Sequence, residues 1–333
     1  MNPSELHRTS IVIDGHCDTL LRFLMQESAK LRPPPGAVPE NAGHIDVERL
    51  KQGGVTAQNF ACYILPRFLP AQATHQTLAM IDALYRRIDE HSDDLCLATS
   101  AGDIERAKQA GKVAALLSLE GAEGLQGSLA TLRMVYRLGV RWIGLTWNHR
   151  NQAADGLGEA RTGGGLTEFG VQLVQEMNRL GMLVDIAHLA PAGVRDVFQV
   201  CEAPVIASHA NAHALCPVPR NLTDEQLTQL AATGGVVGVT YVPGFITDGA
   251  GDRPATLDML LGHVDHIVQV DGIDHVGLGS DFDGFGGPPP AGLEDVSCLP
   301  NVTAALLERG YAPDAVRKIL GGNWLRVLRQ VIG

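Results

Sequence analysis

Eight apolar runs of strand length, each followed by a stretch with helical period, constrain this chain more than any other feature of its 333 residues. The runs are IVID (11–14), VTAQNFACYI (55–64), KVAALLSL (112–119), VRWIGLTW (140–147), MLVDIA (182–187), APVIAS (203–208), GVVGVTYV (235–242) and HVGLGS (275–280). Helix punctuation lies between them. Asp46 precedes VERLKQ and Gly53, Thr167 precedes EFGVQLVQEMNRLG, and Thr223 opens DEQLTQLAATGG. Near-continuous apolar strands need cover on both faces, so the alternation predicts a parallel sheet wrapped in helices, and eight units predict closure into a (β/α)8 TIM barrel. A doubly wound open sheet is the alternative architecture. One barrel accommodates the whole length, so residues 1–333 are read as a single domain.

Composition narrows the class. Apolar residues make up 45% of the chain, enough for a large core, and 26 Lys plus Arg against 37 Asp plus Glu give a net charge of −11. That acidic surface argues against nucleic acid as a partner. No apolar run reaches the roughly 18 residues of a membrane helix, and the start, MNPSELHRTS, has no apolar stretch behind it. The six cysteines are scattered, with no CxxC pair. The expectation is a cytoplasmic protein without a cleaved signal and without a membrane partner. Two proline runs, Pro33 to Pro35 and Pro288 to Pro290, fall after the first and last strands, where a stiff loop or lid over the substrate face is expected.

In such a barrel the chemistry collects at the C-terminal ends of the strands. Here those ends carry Asp14-Gly15-His16-Cys17-Asp18, Glu120-Gly121, His188, Ser208-His209 and Asp281-Phe282-Asp283-Gly284. His16 and Asp18 are two apart, so in extended chain both point to one side and can reach one ion. With Glu120, His188 and His209 they make three histidines and two carboxylates, a set suited to zinc or a similar first-row ion. Five ligands exceed what one catalytic zinc takes, whereas two ions sharing a carboxylate and a hydroxide would use them all. Two Zn2+ less two carboxylates and a hydroxide leave roughly +1 to meet a developing oxyanion, which is the electrostatics of hydrolysis.

The segments DGHCD, SLEGAEGL, GLTEFG, NRLGMLVDIAHL, PVIASHANAHALCPVPRN, GLGSDFDG and GNWLRVL, in that order over nearly the whole chain, resemble the renal (membrane) dipeptidase family of zinc metallopeptidases, family M19. The resemblance implies a barrel of the metal-dependent hydrolase type with two Zn2+ per chain that cleaves free dipeptides. It makes His16 and Asp18 ligands of the first zinc, Glu120 the bridge, and His188 and His209 ligands of the second. Arg220 would bind the substrate's C-terminal carboxylate, Asp281 would move protons at the scissile bond, and Tyr241 matches a position near the substrate. It also suggests a homodimer and tolerance of a D-residue at the C-terminal position. An Arg fork suits a carboxylate bidentately, in agreement with that assignment.

The chain departs from the family at one catalytic position. Some members carry a histidine directly after Leu-Thr, where it contacts the substrate carbonyl oxygen. Here Trp147 follows Leu145-Thr146, and His149 comes two later, on the same side of an extended chain, from where it would supply the same donor. The predicted reaction is attack of a zinc-bridging hydroxide on a dipeptide held by Arg220, with Asp281 passing the proton to the leaving amine and the oxyanion stabilised by metal and His149.

Other polar residues read as structural. His213 has the spacing of a zincin pair with His209 but lacks its Glu, Asp46 of His44-Ile45-Asp46 stands where a helix cap belongs, Asp283 suits a turn, and Cys17 alternates away from the ligands into packing. Asp14 shares parity with His16 and is expected to orient it. An amidohydrolase-type enzyme acting on a lactam or other non-peptide amide, and a non-catalytic binding protein, are the competing functional classes.

Overall fold

The structure is a computed structural model that describes residues 2–31, 43–247 and 254–333. All eight apolar runs form strands, named here β1 (Ile13–Asp14), β2 (Ala57–Tyr63), β4 (Val113–Glu120), β5 (Val140–Gly144), β6 (Leu183–Asp185), β7 (Val205–Ala207), β8 (Val236–Val239) and β9 (Val276–Leu278), with a short additional strand, β3 (Leu95–Leu97). Every pairing between them is parallel. The order β1-β2-β4-β5-β6-β7-β8-β9 closes on itself through β9 to β1. This is the (β/α)8 barrel that the alternation predicts.

The ninth strand was not expected. β3 pairs only with the lower part of β4 (Leu95 opposite Val113, Leu97 opposite Ala115), while β5 joins β4 from Leu117 upward. A register shift at that junction leaves Arg141 without an opposite residue, and its guanidinium donates to Thr99 O and Tyr136 O, tying the two short strands together. The helix punctuation holds: Asp46, Thr167 and Thr223 each accept a backbone N–H at the start of the helices Val47–Gln52, Glu168–Leu180 and Asp224–Ala232. No helix among the described residues is long and apolar enough to cross a membrane. The Pro33 to Pro35 run lies outside the described residues, whereas Pro288 to Pro290 stands in the irregular segment after β9.

The pleat splits the strand residues between two packing layers. Val184, Val205, Val237 and Leu278 belong to the large cluster shared with the helices. Ile13, Ala57, Ala114, Trp142, Leu183, Ile206 and Val236 form a second cluster, closed by Trp324 of the helix Asn323–Ile332. The Trp324 indole stacks 6.1 Å from Trp142 and donates to Leu278 O at 2.9 Å. It reaches so far into the barrel that a Cβ at Gly15 would overlap it, so the residue between Asp14 and His16 has to be glycine. The strand ends therefore rest on a packed floor.

Candidate metal centre

Five strand ends and the loops after them deliver the polar cluster. His16 and Asp18 follow β1, Glu120 ends β4 beside Tyr63 and Gly144, His188 follows β6, His209 follows β7, and Asp281 follows β9. All six are buried, at 1 to 8% exposure. His16 Nε2 lies 3.7 Å from Asp18 Oδ2, 3.7 Å from Glu120 Oε2 and 3.8 Å from Asp281 Oδ1. The other Glu120 oxygen faces the opposite way, 2.9 Å from His188 Nε2 and 3.7 Å from His209 Nε2. Glu120 thus stands between two groups of ligand-type atoms. His16, Glu120 and His209, and likewise His16, Asp18 and Asp281, hold ligand-type atoms within 4.8 Å of one another.

Several details fit this cluster to cations. Among the described residues, His16 Nε2 and Asp18 Oδ1 are buried without a hydrogen-bond partner. His188 Nδ1 pairs with Asn148 Oδ1 at 2.9 Å and His209 Nδ1 with Ser208 Oγ at 2.8 Å. An Nδ1–H donated to each oxygen leaves both Nε2 lone pairs facing each other at 3.0 Å, an arrangement that a shared positive centre relieves. Gly284 completes the approach, since a Cβ there would overlap the carboxylates of both Asp281 and Asp18.

The electrostatics of the pocket are divided. Burial opposes the charge on His16, but the nearby carboxylates of Asp18, Glu120 and Asp281 prevail and push its pKa up to about 10. Burial, followed by the charges of Arg220 and His16, holds His188 well below the usual imidazole range. His209 is depressed in the same way, by burial, then His16 and Arg220. Burial and the charge of Asp18 hold Glu120 well above the carboxylate range, and burial pushes Asp281 up to about 7 against the pull of His16. Bound cations would restore both carboxylates to their charged form.

Backbone strain collects here as well. His188 (φ 67°) and Asp281 (φ 63°) adopt the left-handed region, which costs roughly 1 kcal/mol or more for a side chain other than glycine and persists only where the surroundings enforce it. Arg220 arrives on the loop after β7, packed 5.4 Å from the Phe245 ring. One guanidinium nitrogen donates to His209 O at 3.2 Å, and its buried Nε has no partner among the described residues. A cavity of about 340 Å³ opens beside Arg220 and His188. A larger one of about 550 Å³, lined by Arg22, Phe23, Arg49 and Arg87, lies between helices away from the cluster.

Two expected substrate residues are not brought to the cluster. Tyr241 is completely buried, its ring 5.3 Å from Phe282, on the side of β8 that continues Val237 and Val239 toward the helices. The strand parity there turns it away from the barrel interior. His149 is exposed and packs edge-on to Trp147 at 5.6 Å, while Trp147 itself contacts the rings of His188 (5.9 Å) and Tyr63 (5.0 Å). Asp14 holds the backbone N–H of His16 rather than its ring. The structural readings stand: Asp283 accepts from Thr19 and the His44 amide, Asp46 caps its helix, His213 bonds Leu222 through its backbone, and Cys17 is buried. Asn148 and Tyr63 were not foreseen, because the residues they stand beside, His188 and Glu120, are remote in sequence.

The membrane dipeptidase family, peptidase family M19, matches residues 2–332. Dipeptidase tcpJ of Claviceps purpurea is 39% identical over 327 residues, covering 96% of this chain and 76% of that protein. The solved structure of the metallopeptidase dipeptidase AC superposes with a TM-score of 0.89 at 33% identity, covering 98% of this chain and 99% of the other. A metallopeptidase from Rhodobacter sphaeroides, liganded with a phosphinate mimic of the dipeptide L-Ala-D-Ala, superposes with a TM-score of 0.87 at 32% identity, covering 97% and 99%. With the match spanning the barrel and every strand end of the cluster, the chain belongs to the membrane dipeptidase family of metallopeptidases and is a dipeptidase-class hydrolase.

Proposed function

We propose that the chain binds two zinc ions and hydrolyses free dipeptides, L-Xaa-D-Xaa as well as L-Xaa-L-Xaa. His16 and Asp18 would hold the first ion, His188 and His209 the second, and Glu120 would lie between them. The observation that carries this reading is the split of Glu120, whose Oε2 faces His16 while Oε1 faces His188 and His209. Bound there, two divalent ions supply a water acidic enough to attack at neutral pH and positive charge for the carbonyl oxygen.

The chain's own groups do the rest. Arg220 grips the C-terminal carboxylate with the edge of its guanidinium not engaged by His209, which restricts substrates to those ending in a free carboxylate. Asp281 accepts a proton from the attacking water and hands it to the leaving amine nitrogen, so that water and peptide become acid and amine. Asn148 and Ser208 keep His188 and His209 in the tautomer that presents Nε2. His149, exposed beside Trp147, is the candidate donor at the rim for the carbonyl oxygen. Tolerance of a D-residue is supported by the dipeptide mimic held by the Rhodobacter sphaeroides relative.

The test is metal content by elemental analysis on the sample assayed against L-Xaa-L-Xaa and L-Xaa-D-Xaa dipeptides. Two zinc ions per chain, with turnover lost on chelation and restored by zinc, are expected. Metal-free protein that turns over dipeptides at the same rate would overturn the reading, and two ions with turnover only on lactams would move the activity to the amidohydrolase type.

A further inference from the structure

Two buried aspartates outside the ligand cluster make the same contact on opposite sides of the barrel. Asp14, at the end of β1, accepts with Oδ1 from the amide of His16, two residues on, at 3.3 Å and from the amide of Ser280, beyond β9, at 2.8 Å. Asp185, at the end of β6, accepts with Oδ1 from the amide of Ala187, two residues on, at 3.0 Å and from the amide of Ser208, beyond β7, at 2.9 Å. Each carboxylate joins its own turn to the end of the neighbouring strand. The residues held are the ligand-type residues or their immediate predecessors: His16 and the residue before Asp281 in one case, the residues before His188 and His209 in the other. Each joint also includes one of the left-handed residues, Asp281 or His188.

The contacts are alike, but their surroundings are not. Asp14 is paired with Leu278 on the side of the sheet facing the helices, and its Oδ2 receives the Ser280 hydroxyl at 2.6 Å. Asp185 is paired with Ile206 on the inner side, and the serine beside it, Ser208, turns its hydroxyl to the His209 ring instead. We infer that Asp14 and Asp185 are positioning residues with divided responsibility: Asp14 sets the half of the metal centre built on β1 and β9, and Asp185 sets the half built on β6 and β7. The inference rests on the two-ion reading given above. A backbone turn that can rotate out of its left-handed conformation carries its side chain off the ion, and the carboxylate prevents that by holding two amides at one oxygen.

Zinc titration of metal-stripped protein against a chromophoric chelator tests this directly. Wild-type protein is expected to take up two ions. Asp185→Ala should keep one ion at wild-type affinity and weaken the other about 10- to 100-fold. Asp185→Asn, which retains the accepting oxygen, should stay within about 3-fold of wild type. In a His209→Ala background, Asp185→Ala should leave the remaining ion untouched, whereas Asp14→Ala should weaken it. Should the alanine variant fail to fold, Asp185→Leu, similar in volume and without an acceptor, answers the same question. Equal weakening of both ions by Asp185→Ala, no weakening of either, or an asparagine variant as weak as alanine would overturn the division of roles. Wild-type protein that takes up no zinc is a separate outcome: it removes the two-ion reading itself, and the inference with it.

Discussion

His16 and the pair His188 and His209 are the same residue type within one cluster, yet their surroundings push them in opposite directions. Around His16 stand Asp18, Glu120 and Asp281, and their negative charge favours the imidazolium despite burial. Around His188 and His209 the dominant influence is burial, reinforced by Arg220, and both rings are kept neutral with their Nδ1 atoms occupied. The β1/β9 half is thus an acidic pocket that attracts a cation by charge, whereas the β6/β7 half is a neutral one that presents oriented lone pairs. A ligand set read only as residue types conceals that division.

The sharpest way to break the comparison is to remove the group that both halves share. Glu120→Ala is expected to lower turnover at least about 1000-fold and to leave no more than one zinc per chain by elemental analysis; two ions with full turnover would dissolve the two-half description. Next in size is Asp281→Asn, for which kcat should fall roughly 100- to 10,000-fold with both ions retained. If the same variant loses an ion, Asp281 is a ligand of the acidic half and the proton is carried elsewhere. A smaller effect is expected from Asn148→Ala, which frees His188 Nδ1 and should weaken only the ion of the neutral half, about 10-fold in chelator competition. An equal effect on both ions would erase the distinction.

The smallest expected effect is on pH. His263 accepts the Ala212 N–H with Nδ1 (3.1 Å) and donates to Ile246 O (3.0 Å), bracing the loop that carries Arg220, and the first of these bonds requires the neutral ring. Burial holds its pKa below the ordinary value, although the bond to Ile246 pulls the other way. Its contribution to stability is therefore complete above the unfolded value of about 6.5 and is lost as pH falls through the folded one. His263→Gln should flatten the fall of Tm between about pH 7.5 and about pH 5; an unchanged slope would remove His263 from the acid sensitivity of this loop.

The barrel was legible because its strands are apolar on both faces and its helices carry caps, signals that are local. β3 escaped because Leu95–Leu97 lies outside the ring of eight and pairs only with the lower part of β4. The metal-type residues were legible for a topological reason, since His16, Glu120, His188, His209 and Asp281 all stand where a barrel strand ends. Their supports were legible only in part, since the parity that joins Asp14 to His16 does not show which groups Asp14 holds. Asn148 meets His188 across 40 residues, and Asp14 meets Ser280 across 266, and no pattern along the chain joins such pairs. Tyr241, expected near the substrate, packs its ring against Phe282 within the larger cluster, a placement that the run of residues along β8 does not disclose.

Trp324 has a consequence for the order in which the molecule can be made. Every strand, from Ile13 to Leu278, leaves the ribosome before this residue does. The space under Gly15 and beside Trp142 therefore stays unfilled through nearly the whole of synthesis, and a large aromatic missing from a core costs about 3 to 5 kcal/mol. The nascent barrel has no stable floor beneath its first ligand turn until the helix Asn323–Ile332 emerges. On the two-ion reading, the first ligand turn is therefore complete only once the last helix has closed the floor beneath Gly15, by way of a tryptophan outside the ligand cluster.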